Sequence, residues 1–146
     1  MTFKEYLTEL FDRPAKIYTL ADNLTDREAI FTVGNNKYSI YLSKEPIRKI
    51  VWNVTFAIIE IDGMPVGGID SIKTTNLNVD KNVVFATVIK FIESHHRKED
   101  TYKFTTWKIE KSRIRLYDTL SKRLAKKYNM KVEKSVFGNV IEWQLS

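Results

Sequence analysis

The chain has no cysteine among its 146 residues. That excludes disulfides, thiolate metal sites and a cysteine nucleophile, and it fits a reducing compartment. Histidine is nearly absent too: the only two stand side by side at His95-His96. Adjacent residues on a helix point about 100° apart, so this pair suits a metal poorly and is expected at an exposed helix end. No run approaches the ~20 consecutive apolar residues that a membrane-spanning helix needs. The opening Met1-Thr2-Phe3-Lys4-Glu5-Tyr6 mixes charges and lacks the apolar run of a secretory signal. There is no phosphate-binding P-loop, no Gly-x-Gly-x-x-Gly, no nucleophile elbow and no zinc-ligand spacing. Linkers, internal repeats and low-complexity tracts are missing as well, so residues 1–146 are expected to form one domain, in the cytoplasm.

What the chain does contain is core material. Hydrophobic residues make up 43% and aromatics 12%, enough to exclude a disordered chain and to bury one core. Charge is unevenly placed. The net charge is +6, yet the stretch from Lys108 to Lys134 alone holds ten basic and three acidic residues, or +7. The fourteen basic and fifteen acidic residues elsewhere leave −1. A concentrated patch of this kind attracts phosphate or acidic surfaces; a merely solvated helix face is the alternative.

Patterning predicts the elements. Thr2 and Glu5 have the capping-box spacing, with Phe3, Leu7, Leu10 and Phe11 on one helical face, ending before Pro14. Residues 15–20 read as a first strand. Residues 29–33 and 37–42 form a hairpin across Gly34-Asn35-Asn36. Residues 50–61 form the longest strand, with Trp52, Val54, Phe56 and Ile58 on one side. Asp62-Gly63 turns the chain into a return strand over residues 66–73. Helices follow over residues 80–94 and 112–128, with a strand over 102–109 between them and two closing strands over 131–136 and 140–145. Ser112 is the expected cap of the second helix, in which Ile114, Tyr117, Leu120, Leu124 and Tyr128 line one face. Lys111, Arg115, Lys122 and Lys126 share the opposite face.

Antiparallel strands followed by helix, strand, helix, strand, strand, together with Leu116-Tyr117-Asp118-Thr119-Leu120, resemble the acetyltransferase-like GNAT family. The same region also resembles small tailed-phage proteins that carry Thr-Val-Ile, here Thr87-Val88-Ile89, then Ser-Arg and Leu-Tyr, here Ser112-Arg113 and Leu116-Tyr117. The likeness covers Trp52 to Leu145. It implies an α+β fold: a central, mostly antiparallel twisted sheet with helices packed on its faces. It also implies that an active member would use Tyr117 as the acid for the departing coenzyme A thiolate and Glu60 as the base. Thr75, Asn76, Asn78 and Asn82 would lie against the acetyl-CoA pyrophosphate. In that family a glycine-containing loop cradles the pyrophosphate, but residues 74–82 here contain no glycine. From the residues themselves, Tyr117 falls within the apolar stripe and reads as a core aromatic rather than a catalytic acid.

Two functions therefore stand as expectations. The first is a phage-type accessory protein without acetyl transfer or cofactor. It would bind a host protein or nucleic-acid backbone through Lys111, Arg115, Lys122 and Lys126, in the host-cell cytoplasm if phage-encoded. The alternative is a divergent acyl-CoA-dependent N-acyltransferase. Base stacking on the strand aromatics is disfavoured: Trp107 alternates away from Tyr102 and Phe104, and both sheet faces are expected to be covered.

Overall fold

A computed structural model describes residues 14–46, 50–66 and 81–146. The proposed first helix, most of the return strand and the loop residues Thr75, Asn76 and Asn78 lie outside the described residues. Among the described residues, eight strands form one mixed sheet: β1 (Ile17–Asp22), β2 (Asp26–Val33), β3 (Asn36–Lys44), β4 (Val51–Ile61), β5 (Met64–Pro65), β6 (Thr101–Trp107), β7 (Val132–Phe137) and β8 (Val140–Leu145). Helix α1 (Lys81–His95) follows β5 in the chain and leads into β6, and α2 (Lys111–Tyr128) connects β6 to β7. The strand order is β1-β2-β3-β4-β6-β8-β7, with short β5 paired to β4. Every described pairing is antiparallel except β4 with β6.

Alternation along the strands explains where the core sits. Ala29, Phe31 and Val33 on β2 pair directly with Ile40, Tyr38 and Asn36 on β3, and all are buried. The same row continues through Phe56 and Ile58 on β4. Phe31, Tyr38 and Phe56 stack with centroids 5.4–6.4 Å apart. Phe104 and Trp143 extend this apolar face, and both helices press Val84, Val88, Phe91, Leu116, Leu120 and Leu124 onto it. Tight turns close the hairpins. Asp62 (φ 50°) and Gly63 (φ 80°) both take positive φ, which Asp-Gly tolerates best.

The GNAT-like α+β expectation is overturned. The described residues are mostly β, eight strands in one sheet with only two helices, and both helices lie on the same face. The reason is the strand pattern. The side chains the two helices cover lie on one face; the other presents Thr32, Lys37, Ser39, Asn53, Thr55, Lys103 and Thr105, all exposed or half-exposed, with half-buried Ile30, Tyr41 and Ala57 among them. Strand content also grows where turn was expected, since β1 runs to Asp22 and β2 begins at Asp26.

The parallel ladder between β4 and β6 is short. It runs from Val51↔Thr101 to Val54↔Phe104 and stops, although β4 continues to Ile61 and β6 to Trp107. Tyr117 from α2 reaches this point, where its hydroxyl accepts the Phe56 backbone N–H. No described helix is long and apolar enough to cross a membrane.

Candidate functional site

Helix α2 begins at Lys111, one residue before the expected Ser112 cap. Glu110 is the N-cap residue, without a side-chain capping bond. It ends at Asn129, whose left-handed conformation lets its N–H bond to Ala125 O. At about 100° per residue, Lys111, Arg115, Lys122 and Lys126 fall within about 60° of one another, opposite Leu116, Leu120 and Leu124. All four are exposed.

The basic residues of this region divide into two groups. Arg113 bonds to Glu110 (2.8 Å), Arg123 and Lys127 share Glu93 (3.3 and 2.8 Å), and Lys134 reaches Asp118 (3.2 Å). The bond to Glu93 also raises the pKa of Lys127. These four tie α2 to its surroundings. Lys108, Lys111, Arg115, Lys122, Lys126 and Lys131 are exposed and form no ion pair among the described residues. Along the helix the free cations extend about 22 Å, from Lys111 to Lys126, at 1.5 Å per residue. Thr119, Lys122 and Lys126 border a shallow, open depression on this surface.

The residues assigned to acyl transfer are not brought together. Tyr117 is buried, with its ring against Phe104 (5.1 Å) and Trp143 (5.7 Å) on the helix-covered side of the sheet. Burial pushes its pKa up to about 12, opposed by the nearby Arg113 charge and the Phe56 N–H. Beside it, buried Glu110 accepts from Thr106 Oγ1 (2.9 Å) and Arg113 Nη1 (2.8 Å). Glu110 Oε1 and Arg113 Nε have no partner among the described residues. Glu60 stands on the opposite face. A bulge places Lys37 opposite Glu60 and Tyr38 opposite Ile58, so Ile59 is the extra residue and Glu60 turns outward. There Glu60 bonds to Lys37 (2.7 Å). Asn82 is half-buried in the first turn of α1 and has interactions of its own.

One constellation escaped the sequence. Arg27 (1% exposed) and Asp100 (2%) form a buried ion pair at 2.9 Å. Asp100 also accepts from Trp52 Nε1 (3.1 Å) and the Arg97 N–H (2.8 Å), and the Arg27 guanidinium lies 4.0 Å from the centre of the Trp52 ring. Next to it His96 bonds to the Tyr102 hydroxyl (2.6 Å) and stacks on Tyr128, 3.6 Å between centroids. Desolvation lowers the His96 pKa; Asp100 opposes the shift while Arg27 and Lys127 add to it. Burial raises the pKa of Tyr102. The two histidines are therefore half-buried and engaged rather than an exposed helix end. The available signal was Arg27 itself, a charge at the inward parity of Ala29, Phe31 and Val33. Among the described residues no three His, Asp or Glu side chains are placed to hold a metal ion.

Comparison with protein-family models, curated proteins and solved structures finds no match to this chain.

Proposed function

We propose that the protein is a cytoplasmic binding protein that holds a polyanionic partner on the exposed cations of α2 and works without acetyl transfer. The partner is a nucleic-acid backbone or an acidic face of a host protein. The observation that carries this reading is the division of the basic residues: four are held by carboxylates, while six are exposed in one region and form no ion pair among the described residues. Exposed charge that stabilises nothing internal is available to a partner, and release of counterions from a phosphate backbone makes such binding favourable and strongly salt-dependent. A buried, hydrogen-bonded Tyr117 with a raised pKa, on the other side of the sheet from Glu60, argues against the acyltransferase alternative.

Titration with a labelled oligonucleotide at low and moderate salt, alongside calorimetry with acetyl-CoA, tests the proposal. The expected outcome is polyanion binding that weakens steeply with salt and no saturable heat from acetyl-CoA. Micromolar acetyl-CoA binding, or no binding of any polyanion at low salt, contradicts it.

A further inference from the structure

At the ends of β6 and β7, next to the exposed cations, stands an exposed aromatic pair. Trp107 is 51% exposed and Phe137 is 63% exposed. Both pair with the same residue of β8, Trp107↔Val140 and Phe137↔Val140. Cross-strand partners share a face, so the two rings stand on the same side of the sheet. They are about 10 Å apart, two strand spacings, with half-buried Val140 between them. This is the face opposite the two described helices. Trp52 and Trp143, by contrast, are 2% and 1% exposed.

From Trp107 the chain turns the end of the sheet through Lys108, Ile109 and Glu110 and enters α2 at Lys111. Lys108 and Lys111 are exposed, and Ile109 is 85% exposed. The aromatic platform on one side of the molecule thus runs round this edge into the cation stripe on the other. Acidic side chains limit the path in the other direction. On the open face the next row holds Glu142, between Thr105 and Ser135, and the row after it holds Glu133 together with Lys103, whose charge is already paired with Glu45 (2.8 Å). Phosphates are repelled from continuing down the sheet and drawn over its end.

We infer that this surface binds single-stranded nucleic acid, with bases stacked on Trp107 and Phe137 and phosphates tracking Lys108, Lys111, Arg115, Lys122 and Lys126. The inference rests on the polyanion-binding reading above and narrows it to one partner. Two physical arguments choose a single strand over a duplex. Stacking needs unpaired bases, whose faces a duplex hides. A duplex is also stiff over about 150 base pairs, so it lies along one side of the molecule, whereas a single strand bends round the edge and meets both features. An aromatic platform joined to a basic track is the arrangement by which proteins hold single strands without reading sequence.

The test uses the intact protein, a fifteen-nucleotide oligothymidylate and a duplex of the same length, with heparin as a polyanion without bases. Trp107 is the one exposed tryptophan, so a stacked base quenches its emission. Oligothymidylate is expected to quench the fluorescence, heparin is not, and Trp107→Phe abolishes the quenching while largely retaining affinity. Trp107→Ala and Phe137→Ala each weaken oligothymidylate binding about tenfold and leave heparin affinity unchanged; thermal melts confirm that both variants fold. Binding without quenching, unchanged affinity in both alanine variants, or a duplex bound as tightly as the single strand overturns the stacking platform while leaving polyanion binding in place. Failure of all three probes to bind overturns both readings.

Discussion

Strand β6 separates two groups of charge with opposite fates. Before it, Asp100 is buried with Arg27 and receives hydrogen bonds from Trp52 and the Arg97 backbone. After it, Lys108, Lys111 and Arg115 are exposed and form no ion pair among the described residues. The first group faces inward and joins β2, β4 and the start of β6. The second contributes nothing to that packing. Charge that is desolvated and paired maintains the fold, and its partial removal is destabilising. Charge that is hydrated and unpaired is nearly neutral to stability and available for recognition. Substitutions in the two groups should therefore separate folding from binding.

The largest effect is expected at the buried pair. Asp100→Asn removes the buried counterion of Arg27 and leaves it only the exposed Asp22 carboxylate, 4.0 Å away, among the described residues, and denaturant unfolding should show a loss of about 3–5 kcal/mol. The folded fraction should bind polyanions as before. Replacing both partners with apolar residues, Arg27→Met with Asp100→Leu, should cost less than either single change, because no lone charge remains. A smaller effect belongs to Tyr117→Phe, which removes the hydroxyl that accepts the Phe56 N–H; urea unfolding should report about 1–2 kcal/mol. Oligonucleotide binding should not change, whereas a loss of binding would place Tyr117 at the interface and break the division.

The elements themselves were legible because their patterns are local. Tyr38, Ile40 and Leu42 alternate, Asp62-Gly63 turns the chain, and Tyr117, Leu120 and Leu124 recur at helical spacing; each is where the sequence placed it. The side of the sheet each helix covers was not legible, since chain order carries no information about faces. It becomes evident only when Ala29, Ile40, Phe56, Phe104 and Trp143 are seen to share one side. The orientation of Glu60 depends on a single bulge at Ile59, which no sequence period announces. Arg27 and Asp100 lie 73 residues apart, so their pairing has no local signature, and His96 owes its burial to Tyr128 on a different helix. Among the candidate site residues, the outward face of Lys111, Arg115, Lys122 and Lys126 was readable from spacing. That Lys127 and Arg123 are already held by Glu93 was not.

The smallest expected effect concerns pH. His96 has a lowered pKa in the folded state, so near its ordinary value of about 6.5 the unfolded chain holds more protons than the folded one. Stability is therefore full above that value and falls as pH drops through it toward the folded pKa. Thermal melts between pH 8 and pH 5 should decline with acid, and His96→Gln should flatten that part of the profile. An unchanged profile in the variant would remove His96 from the inward group.

The division of charge is tested most directly by the salt dependence of oligonucleotide binding in the wild type and in Lys111→Gln/Arg115→Gln/Lys122→Gln/Lys126→Gln. Each phosphate contact to a single strand contributes about 0.7 to the slope of log affinity against log salt. The quadruple variant should therefore melt within a few degrees of the wild type while its slope falls by about 3 and its low-salt affinity drops at least a hundredfold. Equal slopes and affinities in the two proteins would show that the exposed cations of α2 meet no polyanion, and would contradict the account.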